Sequence, residues 1–140
     1  MSSIAPVPSR VLVVDDDQDI REIYAESLAL NGFDVLHAGD GAEALAVAFA
    51  ELPTVVVMDL DMPVMDGLTA TSALKRDART TLVPVVVVTG SARPEELQRA
   101  RIAGCDALLA KPCPPDVVIT VIEHILRGEP IPRRFSAFDD

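Results

Sequence analysis

Val55-Val56-Val57-Met58-Asp59-Leu60-Asp61-Met62-Pro63-Val64-Met65-Asp66-Gly67 is the stretch on which the fold turns. Four apolar residues, three of them β-branched, run into a carboxylate and then into a turn interrupted by proline. An unbroken apolar run of this kind suits a strand covered on both faces, as in a parallel sheet. Ligands of such sheets bind at the carboxyl ends of the strands, and Asp59 falls at that edge.

Outward from this stretch the same punctuation repeats. Upstream, Arg10 to Val14 reads as a first strand ending in Asp15-Asp16-Asp17. Asp17 is placed to cap a helix in which Ile20, Ile23, Tyr24 and Leu28 recur at helical spacing, closed by Asn31-Gly32. Phe33 to Ala38 follows as a second strand, and Asp40-Gly41 opens a helix with Ala44, Leu45, Ala48 and Phe49 on one face. Downstream, Asp66 caps a third helix from Gly67 to about Ala78, and Pro84 to Val88 is a fourth strand leading into Thr89-Gly90-Ser91. Arg93-Pro94-Glu95-Glu96 starts a helix that stops at Gly104, with proline in its first turn and acids near the positive end of its dipole. Ala107 to Ala110 is a fifth strand running into Lys111-Pro112, and Pro114 or Pro115 opens a last helix to about Arg127. Strand and helix alternate five times. That order specifies an α/β fold, a doubly wound five-stranded parallel sheet with helices on both faces and right-handed crossovers. Residues 1–9 read as a flexible N-terminal arm, 10–127 as one domain and 128–140 as a C-terminal tail.

The bulk composition narrows the function. A chain of 140 residues with 49 % hydrophobic and 24 % charged residues is one domain with an ordinary globular balance. A net charge of −10 argues against a nucleic-acid surface, which needs clustered Lys and Arg. No apolar run reaches the length of a membrane span, and the chain is expected to be cytoplasmic. Cys105 and Cys113 are expected as reduced thiols.

Every strand except the second ends in a residue with chemistry to offer: Asp15-Asp16, Asp59, Thr89 and Lys111. With the first strand central, Asp15 and Asp16 would stand beside Asp59. Two carboxylates about 4 Å apart repel by roughly 4 kcal/mol at an effective dielectric of 20. Three together call for a proton or a cation, most naturally Mg2+ among oxygen ligands. Such a site suits phosphoryl transfer: cation and lysine neutralise the transferring group while the Asp59 carboxylate attacks in line, and Thr89 donates its hydroxyl.

Five motifs in order, Val13-Val14-Asp15-Asp16, Met58-Asp59, Met62-Pro63 with Met65-Asp66-Gly67, Thr89-Gly90 and Lys111-Pro112, closely resemble the receiver domain of two-component response regulators across Arg10 to Arg127. The resemblance implies a flavodoxin-like fold with strand order 2-1-3-4-5. It implies that Asp59 is phosphorylated by a phosphohistidine of a histidine kinase or phosphotransfer protein. Asp16, Asp59 and the main-chain carbonyl of Asp61 would bind Mg2+, with Asp15 acting mainly through water. Lys111 and Thr89 would contact the phosphoryl group, helped by the Gly90 amide, and the Lys111-Pro112 bond would be cis. The protein would not be an enzyme beyond its own phosphorylation and slow dephosphorylation, and it would act by switching contacts with a downstream protein target. One departure stands out: Leu108 occupies the place, three residues before the lysine, where the family commonly carries an aromatic switch residue.

Competing readings remain open on the residues. Asp59-Leu60-Asp61 also fits the Asp-x-Asp pair of haloacid dehalogenase-type phosphatases, although Pro63 stands where that family has Thr or Val. A receiver reduced to a binding module is a third reading, against which the complete acidic set argues. Asp17 and Asp66 read as helix caps, His37 and His124 as ordinary surface or boundary residues, and Met58, Met62 and Met65 as packing residues. In the last helix, Val117, Val118, Ile119, Val121, Ile122, Ile125 and Leu126 span roughly 200° at about 100° per residue, about twice what a one-sided helix needs. Either a neighbouring segment covers Ile119 and Leu126, or they form a homodimer or partner face.

Overall fold

The computed structural model describes residues 9–62, 64–91 and 93–138. The expected arm therefore lies almost wholly outside the described residues. Ten elements alternate: β1 (Arg10–Val14), α1 (Gln18–Leu30), β2 (Asp34–Ala38), α2 (Gly41–Glu51), β3 (Val55–Asp59), α3 (Gly67–Arg76), β4 (Val85–Thr89), α4 (Pro94–Ala103), β5 (Ala107–Ala110) and α5 (Pro115–Leu126). All strand pairs are parallel, in the order β2-β1-β3-β4-β5. This is the flavodoxin-like arrangement expected from the sequence.

Alternation along each strand separates two cores. Leu12, Val14, Val56, Met58, Val85, Val87 and Leu108 face α2, α3 and α4 through Ala44, Ala48, Leu68, Leu74, Ala100 and Ala103. Val11, Val13, Val55, Val57, Val86, Val88 and Leu109 face α5 and α1 through Val118, Val121, Ile122 and Leu28. The three central strands are buried at every residue except Arg10 at the start of β1, and this is why they read as nearly unbroken apolar runs.

The helix starts are fixed locally. Carboxylates of Asp17, Asp40 and Asp66 accept from main-chain N–H groups of the first turns of α1, α2 and α3, with Asp66 receiving the Thr69 N–H at 2.8 Å. Four local expectations need correction. Helix α3 ends at Arg76, because Asp77 leaves helical geometry (ψ 130°) and binds the Arg79 guanidinium and N–H. Two strands start one residue later than expected: β2 at Asp34 rather than Phe33, and β4 at Val85, running on to Thr89. Ile23 is exposed, since at about 100° per residue it lies roughly 120° from the Tyr24–Leu28 stripe that meets the core.

The wide arc of α5 is largely covered by the chain itself. Ile119 is buried, and Ile131 and Phe135 pack against the cluster that contains it. Leu126 stays partly exposed. No helix among the described residues is long and apolar enough to cross a membrane.

Candidate phosphoacceptor site

Parallel register brings the carboxyl ends of β1 and β3 level, with Val14 opposite Met58. The next residues, Asp15 and Asp59, are therefore neighbours. Carboxylate oxygens of Asp15, Asp16 and Asp59 lie within 4.8 Å of one another. Asp15 and Asp59 are each 5 % exposed, while Asp16 is open to solvent. From the end of β5, Lys111 reaches across with Nζ 2.8 Å from Asp59 Oδ1. The Lys111-Pro112 bond is cis, and the Lys111 N–H donates to the Thr89 carbonyl at 2.7 Å, tying the ends of β4 and β5 together.

The electrostatics are strained in one direction. Burial pushes the Asp15 carboxyl up to about 6; the Asp17 N–H that donates to it opposes the shift, and the negative charge of Asp59 adds to it. Burial also raises the Asp59 carboxyl above its ordinary value, against the hydrogen bond and charge of Lys111 and with the charges of Asp61 and Asp16. Burial opposes the charge on Lys111, yet its bond to Asp59 holds its ammonium above the ordinary lysine value. With three carboxylates and one ammonium ionised, the cluster carries two uncompensated negative charges, the charge of one divalent cation. The donor set, hard carboxylate oxygens at a partly open rim, fits a metal such as Mg2+.

The structure brings Asp15, Asp16, Asp59 and Lys111 together. It places Thr89 fully buried at the end of β4, with its hydroxyl donating to the Ser91 carbonyl and accepting from the Ser91 N–H, both at 3.0 Å. That hydroxyl is thus engaged with its own loop and makes no hydrogen bond to Asp59. Gly90 is exposed, and its Cβ direction is open. Asp61 lies exposed just past β3.

Several supports were not legible as a motif. Arg21 Nη1 donates to the Asp15 carbonyl at 2.5 Å, and the Tyr24 hydroxyl donates to the Cys113 carbonyl at 2.6 Å, clamping α1 to the loop that follows Lys111. Both residues sit in the first two turns of α1, the only signal that pointed to them. Gly67 closes the site from behind: a Cβ there would fall 2.2 Å from the Asp59 carbonyl oxygen. On the rim, Val64 adopts φ +70° and is 85 % exposed, a strained backbone for a β-branched residue.

The family model for the response regulator receiver domain matches residues 11–123. The chain belongs to that family. The receiver domain is 39 % identical over 120 residues to the transcriptional regulatory protein PdtaR of Mycobacterium tuberculosis, an alignment covering 85 % of this chain and 57 % of that protein. It is 30 % identical over 106 residues to the polar-differentiation response regulator DivK of Brucella anthropi, covering 76 % of this chain and 86 % of DivK. Among solved structures, the receiver superposes on chemotaxis protein CheY4 of Vibrio cholerae with a TM-score of 0.80 and 30 % identity, covering 85 % of this chain and 99 % of that one. The receiver spans only about half the length of several curated relatives, PdtaR and the PrrA regulators among them.

Proposed function

We propose that Asp59 is the phosphoacceptor, taking a phosphoryl group from a phosphohistidine of a histidine kinase or phosphotransfer protein. The observation that carries this reading is the Asp59–Lys111 pair at 2.8 Å within a triad of carboxylates, at the sheet edge where a donor can approach. An Asp59 carboxylate oxygen forms the new bond to phosphorus as the phosphorus–nitrogen bond of the donor breaks, and its electron pair returns to the imidazole. The ammonium that now pairs with Asp59 Oδ1 is within reach of the incoming phosphoryl oxygens and takes over as their counter-charge. Asp15, Asp16 and Asp59, with the main-chain carbonyl of Asp61, would hold Mg2+, whose chemistry is to neutralise the transferring phosphoryl oxygens. Thr89 would turn from Ser91 toward the phosphoryl group once it is present, and the Gly90 amide would donate beside it.

In this role the domain catalyses only its own phosphorylation and slow dephosphorylation, in the cytoplasm. Its output is a change of contacts with a downstream protein, and nucleic acid is not its own ligand, given the net charge of −10. The relatives named as transcriptional regulators are longer than this chain, and any such output here would belong to a partner or a further domain. Family membership removes the ground for a phosphatase reading of Asp59-Leu60-Asp61.

Intact mass after incubation with acetyl phosphate tests the assignment. A gain of one phosphoryl group that requires Mg2+ and is absent in Asp59→Asn is expected. A folded protein that gains none under any condition would leave only a binding module.

A further inference from the structure

Strand β5 is an edge strand, and its outer edge is not bare. After α5, Gly128 takes φ +69° and the Glu129 N–H returns to the His124 carbonyl at 2.8 Å, reversing the chain. Ile131 and Phe135 then pack on the α1/α5 side of the sheet, with a short 3-10 turn over Arg133–Phe135. Two residues later the Ala137 N–H donates to the Leu108 carbonyl at 2.7 Å, in the middle of β5. Ala137 and Phe138 pack against the α2/α3/α4 side, where the Arg101 guanidinium lies 4.2 Å over the Phe138 ring. The segment therefore crosses the sheet edge from one core to the other, covering unpaired β5 backbone as edge strands require.

Two features make this cover a working part. Its hold is local: among the described residues, one main-chain hydrogen bond to β5, the half-buried side chains of Ile131, Phe135, Ala137 and Phe138, and the Arg101 guanidinium over the Phe138 ring, above a cleft of about 330 Å³ that remains open beneath it. That cleft is lined on one side by Phe135 and Ala137 and on the other by Pro112, Cys113 and Pro114, the residues that follow Lys111. The anchor at Leu108 and the site lysine belong to one continuous piece of chain, three residues apart, and the Lys111 N–H is tied to the β4 end through Thr89.

We propose that residues Ile131–Phe138 are a releasable strap, closing the β5 edge in the unmodified receiver and loosening when Asp59 is phosphorylated. The first clause stands on packing alone; the second rests on the phosphoacceptor reading. When Lys111 exchanges the Asp59 carboxylate for phosphoryl oxygens, the floor of the cleft and the strand carrying the anchor move together. Edge and flanking faces of α4 and α5 are then open to another protein only after the strap has left. The strap would be an internal competitor for a protein that docks on this edge.

Hydrogen exchange of the Ala137 amide and trypsin cleavage after the exposed Arg133 and Arg134 read the strap directly in the full chain. In the unmodified protein the Ala137 amide should exchange at least tenfold more slowly than in a free peptide of residues 128–140. Phe135→Ala with Phe138→Ala should erase that protection and speed cleavage at least tenfold, with the circular dichroism of the domain unchanged. Ala137→Pro should speed cleavage likewise by removing the donor; Ser136 at φ −97° and ψ 134° already suits a following proline. Exchange of the Ala137 amide at the free-peptide rate, or cleavage indifferent to all three substitutions, would overturn the strap. With acetyl phosphate and Mg2+, protection should fall severalfold in step with the mass gain on Asp59. A full mass gain with unchanged protection would make the cover static and end the release clause, leaving the phosphoacceptor assignment intact. No mass gain, with the amide protected, would end the assignment and the release clause together while the docked cover stood.

Discussion

Two lysine–aspartate pairs, each 2.8 Å long, sit at opposite ends of the same sheet. At the amino ends of β4 and β5, Lys75 Nζ meets Asp106 Oδ2 and also donates to the Val83 carbonyl, while the same Asp106 oxygen accepts the Val85 N–H. That pair joins α3 to the starts of two strands and has neutral partners around it. At the carboxyl ends, Lys111 meets Asp59 amid two further carboxylates, and burial holds both Asp15 and Asp59 above the ordinary carboxylate range. Equal distances hide opposite purposes. One pair is saturated and holds elements together; the other is left short of positive charge, as the proposed binding of a cation and a phosphoryl group requires.

Substituting across the two pairs separates them most sharply. Asp59→Asn should abolish phosphoryl uptake measured by intact mass, whereas Asp106→Ala should leave uptake at the native level. In urea unfolding the order reverses: Asp106→Ala strands the Val85 N–H and the partly buried Lys75, and should cost about 1–3 kcal/mol. Equal stability losses from both substitutions would erase the distinction. Lys111→Ala should retain some phosphorylation but slow it roughly tenfold, about 1.4 kcal/mol of barrier, and blunt the structural response. An unchanged response would remove Lys111 from the switching mechanism.

The third expectation concerns protons. Asp15 titrates near 6 in the folded chain, above the 3.8 of an ordinary Asp, so the folded state holds its proton more tightly. Its stabilising contribution is complete below about pH 3.8 and is lost as pH rises through about 6. In Mg2+-free buffer, the native protein should therefore lose stability relative to Asp15→Asn between pH 4 and pH 7, and added Mg2+ should restore it selectively to the native protein. A pH-independent difference would show that the site is not short of positive charge. The smallest effect belongs to the rim: Val64→Gly should stabilise the fold by about 1 kcal/mol by relieving the φ of +70°.

What the sequence shows of this design depends on the range of the interactions. Caps at Asp17, Asp40 and Asp66 are satisfied within three residues, so they are legible without the fold. The apolar runs of β1, β3 and β4 are legible because both faces are covered. The carboxylates and Lys111 were found because each ends a strand, and parallel topology turns strand ends into neighbours. Lys75 and Asp106 end no strand and stand 31 residues apart, with nothing in spacing or composition to join them. The turn of the Thr89 hydroxyl toward Ser91 is a rotamer choice that no pattern encodes. Residues 131–138 lack helix or strand periodicity and read as a tail, yet Ile131, Phe135 and Phe138 are spaced so that the first two meet one core and the third the other. Apolar residues set in a proline-rich stretch were the signal there.

The empty position at Gly67 bears on how this site can change over generations. The Asp59 carbonyl oxygen fills the space that any side chain would need, whereas around Gly90, beside Thr89, the corresponding space is open. A saturation library screened for phosphoryl uptake should therefore return glycine alone at position 67 and a spread of small residues at position 90. Lineages can adjust the loop after β4 in single steps, while the wall behind the acceptor is shut to drift and can alter only if β3 itself shifts.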